Sequence, residues 1–191
     1  MKRAILVLQE KMTHELNTVL PLANYQAIAK TDNGIDALRM AQRVEPDLIL
    51  CGGEIRGIAS LDLVQNLIHA KLCPVMLVIE EKDFVNLEYA LKTNVNHILT
   101  APIRAMDVIF GIAQAEYNFQ REIAHQKEIN KINDELKTRK LLYQAILLLI
   151  TEGMEEETAY NAIRAQAMAS RKTLKAIAAE VIKGSWRPSV I

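Results

Sequence analysis

Ala4-Ile5-Leu6-Val7-Leu8 is an unbroken apolar run near the start of the 191-residue chain, and its reading decides the fold. The run is too short for an ordinary helix and carries no alternating polar residue. Both of its faces must therefore be covered, as in a strand of a parallel sheet with helices on either side. Leu48-Ile-Leu-Cys51, Val75-Met-Leu-Val-Ile79 and His97-Ile-Leu99 repeat the theme, with a weaker strand near Gln26–Lys30. Helical patterns fill the gaps. Asp32 or Asn33 is placed to cap a helix carrying Ile35, Leu38, Met40, Ala41 and Val44 that stops before Pro46. Leu61–Lys71 and Asp83–Thr93 supply later helices. Such βα alternation predicts a flavodoxin-like α/β domain with a doubly wound, five-stranded parallel sheet, ending near Ile103.

From Arg104 onward the pattern becomes one long helix with no proline and only Gly111 as a weak point. Val108, Ile112, Ala115, Phe119 and Ile123 form one stripe. Ile129, Ile132, Leu136, Arg139, Tyr143, Ile146 and Ile150 form a second, in heptad spacing with one charged position, and the step between the stripes is a phase slip. Unbroken, residues 104–150 extend about 70 Å. A stripe of that kind predicts self-association as a coiled coil. Thr151-Glu-Gly153 ends the helix. Ala159, Ala162, Ile163, Gln166 and Ala167 then mark a new inner face, with Met168 assigned to the core beside Ala167. Ser170 is the expected N-cap of a last helix carrying Leu174, Ile177, Ala178, Val181 and Ile182 inward and ending at Gly184. Two short helices bury little alone, so they must pack on Leu141–Ile150 as an all-α three-helix bundle. The expected domains are 1–115, a helical linker over 104–150, and 136–186.

Formal net charge is zero, so the chain as a whole exerts no pull on nucleic acid or membrane. The distribution is uneven: residues 158–191 carry 6 basic side chains and a single acid, Glu180. Cys51 and Cys73 read as buried free thiols in a reducing compartment. No charged segment followed by an apolar h-region opens the sequence, and the run Ala145–Ile150 cannot span a bilayer. The chain is therefore expected in the cytoplasm, without membrane contact. No nucleophile–base pair or metal-ligand spacing stands out, which argues against an enzyme and implies no cofactor. Gly52-Gly-Glu-Ile-Arg-Gly57 lacks a lysine and a Walker spacing, so it reads as a flexible loop and not a phosphate cradle.

The first domain resembles the receiver domains of two-component response regulators. The likeness lies in a first strand ending near an acid, then Gly34-Ile-Asp-Ala-Leu38, Pro46-Asp-Leu-Ile-Leu50, and Ala101-Pro102 after the last strand, where receivers place Lys-Pro, often with a cis peptide. A receiver needs acids to hold Mg²⁺, an aspartate to attack a phosphoryl group, and a hydroxyl and a lysine to bind the new phosphoryl oxygens. Carried onto this sequence, the acid pair reads Gln9 and Glu10, the phosphoacceptor Gly52, the hydroxyl Ile79 and the lysine Ala101. The resemblance thus implies a pseudo-receiver with no phosphoacceptor, whose input is a regulatory protein or ligand.

Ala159-Tyr160, Ile163-Arg164, Ala167-Met168, Arg171, Leu174, Ala178 and Val181-Ile182 are similar to the ANTAR domain of AmiR- and NasT-type transcription antiterminators, over roughly residues 141–184. The order of receiver, coiled coil and ANTAR is that family's architecture. It implies a homodimer that holds paired stem-loops of a transcript leader. The family's first helix usually carries Ala-Lys-Gly before its Leu-Met pair. Here Gln144-Ala145-Ile146 and Leu148-Leu149 stand there, so one basic side chain is lost, and a protein–protein adaptor is the alternative. In the residues themselves, Arg164, Arg171, Lys172 and Lys175 are expected to cluster where the last two helices meet and to contact phosphates, with Tyr160 stacking on an unpaired base.

Overall fold

In a computed structural model of the chain, residues 1–80 and 87–188 are described; residues 83–86 of the expected Asp83–Thr93 helix lie outside them. The strands are β1 (Lys2–Val7), β2 (Tyr25–Thr31), β3 (Leu48–Gly52), β4 (Val75–Ile79) and β5 (His97–Thr100). Helices α1 (Glu10–Val19), α2 (Gly34–Val44), α3 (Ser60–Ala70) and α4 (Leu87–Lys92) connect them, with a 3-10 turn at Leu20–Ala23. Then come α5 (Ala105–Thr151), α6 (Glu156–Ser170) and α7 (Leu174–Ile182). The chain divides into two compact units, Met1–Ile123 and Ala124–Ile191, and α5 contributes to both.

The first unit is a parallel sheet in the order β2-β1-β3-β4-β5. Because side chains alternate along a strand, the apolar run of β1 feeds two cores. Ala4, Leu6 and Leu8 pack with Met12, Leu16, Val108, Ile112 and Ala115 from α1 and α5. Ile5 and Val7 pack with Ala37, Ala41, Leu63, Val64 and Leu67 from α2 and α3. Burying each larger aliphatic side chain contributes roughly 1.5–3 kcal/mol. β2 lies at the sheet edge, where only Tyr25 is buried and half-buried residues alternate with exposed ones along the rest, which is why its sequence signal is weak. Gly111 lets α5 lie directly on the sheet, since a Cβ there would come within 2.8 Å of the His97 ring and 2.9 Å of the Met76 methyl. Asn33 caps α2 by accepting from the Ile35 and Asp36 amides, and Glu45 ends the helix in the left-handed region before Pro46. Cys51 and Cys73 are free and buried. Burial pushes both thiols up to about 12.

Residues 53–57 of the Gly52–Gly57 segment form a loop after β3, and Arg56 anchors it. Arg56 donates its amide to the Asp32 carbonyl at 2.7 Å and accepts from the Gly34 amide at 2.9 Å. Its guanidinium also pairs with the Asp32 carboxylate at 2.6 Å. Two backbone bonds and an ion pair fasten the loop to the β2–α2 turn, a long-range pairing that glycine content alone could not reveal.

The second unit is helical. Ala145, Ile146 and Leu149 of α5 pack with Ala159, Ile163 and Ala167 of α6 and Ile177, Ala178 and Val181 of α7. Gly153 takes the left-handed conformation and closes α5 with two turn bonds, Met154 N–H to the Leu149 carbonyl and Gly153 N–H to that of Ile150. Along α5, Ile129, Ile132, Leu136, Tyr143, Leu147 and Ile150 remain exposed. The heptad reading is corrected at one position: Ile146 belongs to the bundle core, and Leu147 takes its place on the open stripe. On a helix of 3.6 residues per turn, a strict 3.5 repeat drifts by about 20° per heptad. Over the span from Ile129 that drift carries Ile146 away from the stripe and brings Leu147 onto it.

A candidate nucleic-acid interface on the helical unit

α6 begins after Glu155 and carries Glu156 and Glu157 in its first turn, where the helix dipole favours acids. Its inner positions Ala159, Ile163 and Ala167 bury themselves, which fixes the rotation of the helix. Residues four apart share a face. Tyr160, Arg164 and Met168 consequently line up on the exposed side, and Arg171 continues the line just past the helix end. Tyr160 is 37% exposed and Met168 73%. The placement of Met168 in the core is therefore corrected. The buried stripe of α6 is narrow, and Ala167 alone fills the last turn of it, leaving Met168 one position further round in solvent.

Arg171 sits at φ 54°, ψ 33°, in the left-handed region. The Lys172 amide bonds the Ala167 carbonyl at 3.0 Å and the Arg171 amide that of Met168 at 3.3 Å, the paired bonds with which a glycine usually ends a helix. The backbone turn thus holds the Arg171 guanidinium outside the bundle. Thr173, not Ser170, caps α7: its side chain accepts from the Ala176 amide at 3.2 Å. Ser170 instead donates to the Gln166 carbonyl at 2.6 Å within the last turn of α6. Either hydroxyl suits a cap by type, and the turn at Arg171 selects the later one.

The four expected basic residues divide into two pairs. Arg164 and Arg171 are exposed, and neither takes part in the ion pairs formed among the described residues. Lys172 pairs with Glu180 at 2.6 Å. Lys175 pairs with Asp134 of α5, forty-one residues earlier. The hydrogen bond and charge of Lys175 hold the Asp134 carboxyl below the usual carboxylate range. Met168 and Asp134 are the two positions that reading the sequence did not assign to this surface. Met168 was available from the four-residue spacing after Tyr160 and Arg164. Asp134 was not, because nothing local ties it to Lys175.

In the first unit the receiver positions gather at the carboxyl ends of the strands. Gln9 precedes α1 without capping it by its side chain, and Glu10 is the first residue of that helix. Gly52 and Ile79 end β3 and β4, both buried. Ala101 follows β5 and forms a cis peptide with Pro102. A Cβ at Gly52 would lie 2.8 Å from the Val78 carbonyl carbon and 3.0 Å from its nitrogen, with the carbonyl oxygen closer still. This position meets the backbone of the neighbouring strand, to which it is paired in register.

The ANTAR domain family matches residues 130–182. A transcriptional regulatory protein of Mycobacterium tuberculosis, PdtaR, is 25% identical over 97% of this chain and 92% of its own length. Among solved structures, the signal receiver domain of a modulated diguanylate cyclase from Desulfovibrio desulfuricans superposes with a TM-score of 0.58 at 20% identity, covering 64% of this chain and 98% of that one. The response regulator domain of CheB from Thermotoga maritima does so with a TM-score of 0.52 at 19% identity, over 61% and 96%. Residues 130–182 thus match the ANTAR domain, carried behind a domain with the receiver fold, and over nearly its whole length the chain is similar to a transcriptional regulatory protein.

Proposed function

We propose that the chain is a transcription antitermination regulator that binds stem-loops in a transcript leader. The observation that carries this reading is the exposed line Tyr160, Arg164, Met168 and Arg171 within the ANTAR segment. Two guanidiniums that form no ion pair among the described residues supply phosphate contacts, and the Tyr160 ring offers a stacking surface for an unpaired base. The transcriptional role named for the mycobacterial relative supports the same class of function. Lys172 and Lys175 join the surface by exchanging their carboxylates for phosphates, an exchange that costs little because exposed ion pairs are weak.

The active form in this reading is a homodimer. The stripe Ile129, Ile132, Leu136, Tyr143, Leu147 and Ile150 is apolar and uncovered in one chain, and a second copy gives it a partner. Two bundles then engage two stem-loops, so the second contact is intramolecular and avidity rises. The working division is a pseudo-receiver over 1–115, a coiled-coil linker over 104–150 and an RNA-binding domain over 136–186, acting in the cytoplasm. With Gly52 at the phosphoacceptor position, a protein or small ligand sets the state of the first domain without phosphorylation. A gel-shift titration of the full chain tests the proposal, using an RNA with two short hairpins, the same RNA with one hairpin removed, and duplex DNA. Tighter binding to the paired hairpins than to either competitor is expected. Equal or absent binding to all three would leave the protein–protein adaptor as the reading of the same architecture.

A further inference from the structure

Two acids occupy lysines that the RNA reading needs, and one of them comes from a different helix. Asp134 reaches Lys175 from α5 to the first turn of α7, whereas the partner of Lys172, Glu180, lies on α7 itself. Both members of the first pair keep contact with solvent, at 63% exposure for Asp134 and 40% for Lys175. A carboxylate oxygen offers a lysine what a phosphate oxygen offers, a negative acceptor at hydrogen-bond range. We propose that Asp134 is an intramolecular competitor for RNA phosphate, holding Lys175 in a clasp between α5 and α7 that the RNA backbone must displace. This inference rests on the RNA-binding reading and adds a regulatory contact to it.

Three features support the assignment. The clasp joins segments forty-one residues apart, so it is a tertiary contact and not the local pairing that helix spacing produces on any polar face. Asp134 is a carboxylate at neutral pH, as an ordinary aspartate is, and the hydrogen bond and charge of Lys175 lower its pKa further. Asp134 also lies two residues from both Ile132 and Leu136, which places it on the opposite side of α5 from the exposed stripe. A second copy packing on that stripe leaves the clasp untouched, so loss of the clasp changes RNA affinity without changing oligomeric state.

The test uses the full chain and a labelled RNA of two short hairpins, with affinity read by fluorescence anisotropy at low salt, where exposed charges are least screened. Asp134→Asn should tighten binding by about two- to five-fold, the range that an exposed pair commands. Glu135→Gln removes the same charge from an exposed neighbour and controls for long-range attraction. Lys175→Met should weaken binding and flatten the dependence of log K on log salt by about 0.7–0.9 for each bundle engaged. In the Lys175→Met background, Asp134→Asn should give no gain beyond that of Glu135→Gln, the non-additivity expected of a direct pair. Sedimentation should show one oligomeric state for all variants. A gain no larger than the control, or one that survives Lys175→Met, overturns the clasp while RNA binding stands. Failure of wild type and every variant to bind overturns the RNA reading and the clasp together.

Discussion

Replacing Arg171 by glycine should make the helical unit more stable and worse at binding RNA. Arg171 holds φ 54° and ψ 33°, a conformation that costs an L-residue roughly 1–2 kcal/mol and glycine almost nothing. Glycine gives back about 0.5–1 kcal/mol through the greater freedom of its unfolded chain. The net gain is about 0.5–1 kcal/mol, because the backbone bonds from Lys172 and Arg171 to Ala167 and Met168 do not involve the side chain. The guanidinium makes no ion pair among the described residues, so no packing or pairing energy is lost with it. Trp186, the single tryptophan, packs against the bundle core, and its fluorescence in a urea titration reports the stability of this unit. Affinity for a single-hairpin RNA should fall by about 1 kcal/mol, near five-fold, and the salt slope should shrink by about 0.7–0.9, the signature of one lost phosphate contact. A variant that is less stable than wild type would refute the backbone argument. One that is more stable and binds RNA equally well would refute the role given to Arg171.

Gly52→Asp should not create a phosphorylatable receiver. Its Cβ meets three backbone atoms of Val78, so the strands must part at a cost of about 1–3 kcal/mol or more; a lowered melting temperature with no mass gain from a small phosphodonor and Mg²⁺ is the expected result. Leu136→Asp places a charge on the open stripe of α5 and should leave the chain monomeric by analytical ultracentrifugation. His97 is partly buried, and desolvation lowers its pKa from 6.5. Below pH 6.5 the unfolded state therefore binds more protons than the folded one, so stability falls as pH drops from 6.5 through the folded pKa. His97→Gln should flatten that slope in urea midpoints compared across pH. Thr173→Ala removes the α7 cap bond to Ala176 and should cost about 1 kcal/mol, read at Trp186.

The parts of this molecule that could be read from the chain alone are those where one short stretch carries the whole physical reason. Ala4–Leu8 has no polar face, so it had to be covered on both sides, and its residues divide between the two cores. Asn33 and Gly153 act within a single turn, and both were legible. What escaped were properties set by distant partners. The anchoring of the β3–α3 loop depends on Arg56 finding Asp32 across the sheet end. Met168 was misplaced because apolar character says nothing about which side of a narrow buried stripe a residue falls on. Ile146 and Leu147 exchanged roles through the slow rotation of a straight helix against a heptad count. The candidate site was half legible for the same reason. The spacing of Tyr160, Arg164 and Arg171 is local to one helix and its turn, while the pairing of Lys175 with Asp134 depends on how three helices come together.

Binding of a two-hairpin RNA to the wild-type chain, measured across a series of salt concentrations, decides whether the helical unit grips phosphates. The two-bundle reading predicts a linear fall of log K with log salt, with a slope near that of six to eight phosphate contacts, three or four from each bundle, about −4 to −7. It also predicts a smaller slope when Arg164 and Arg171 are both replaced by alanine. Binding that is indifferent to salt, or that keeps its full slope without those two arginines, would contradict it.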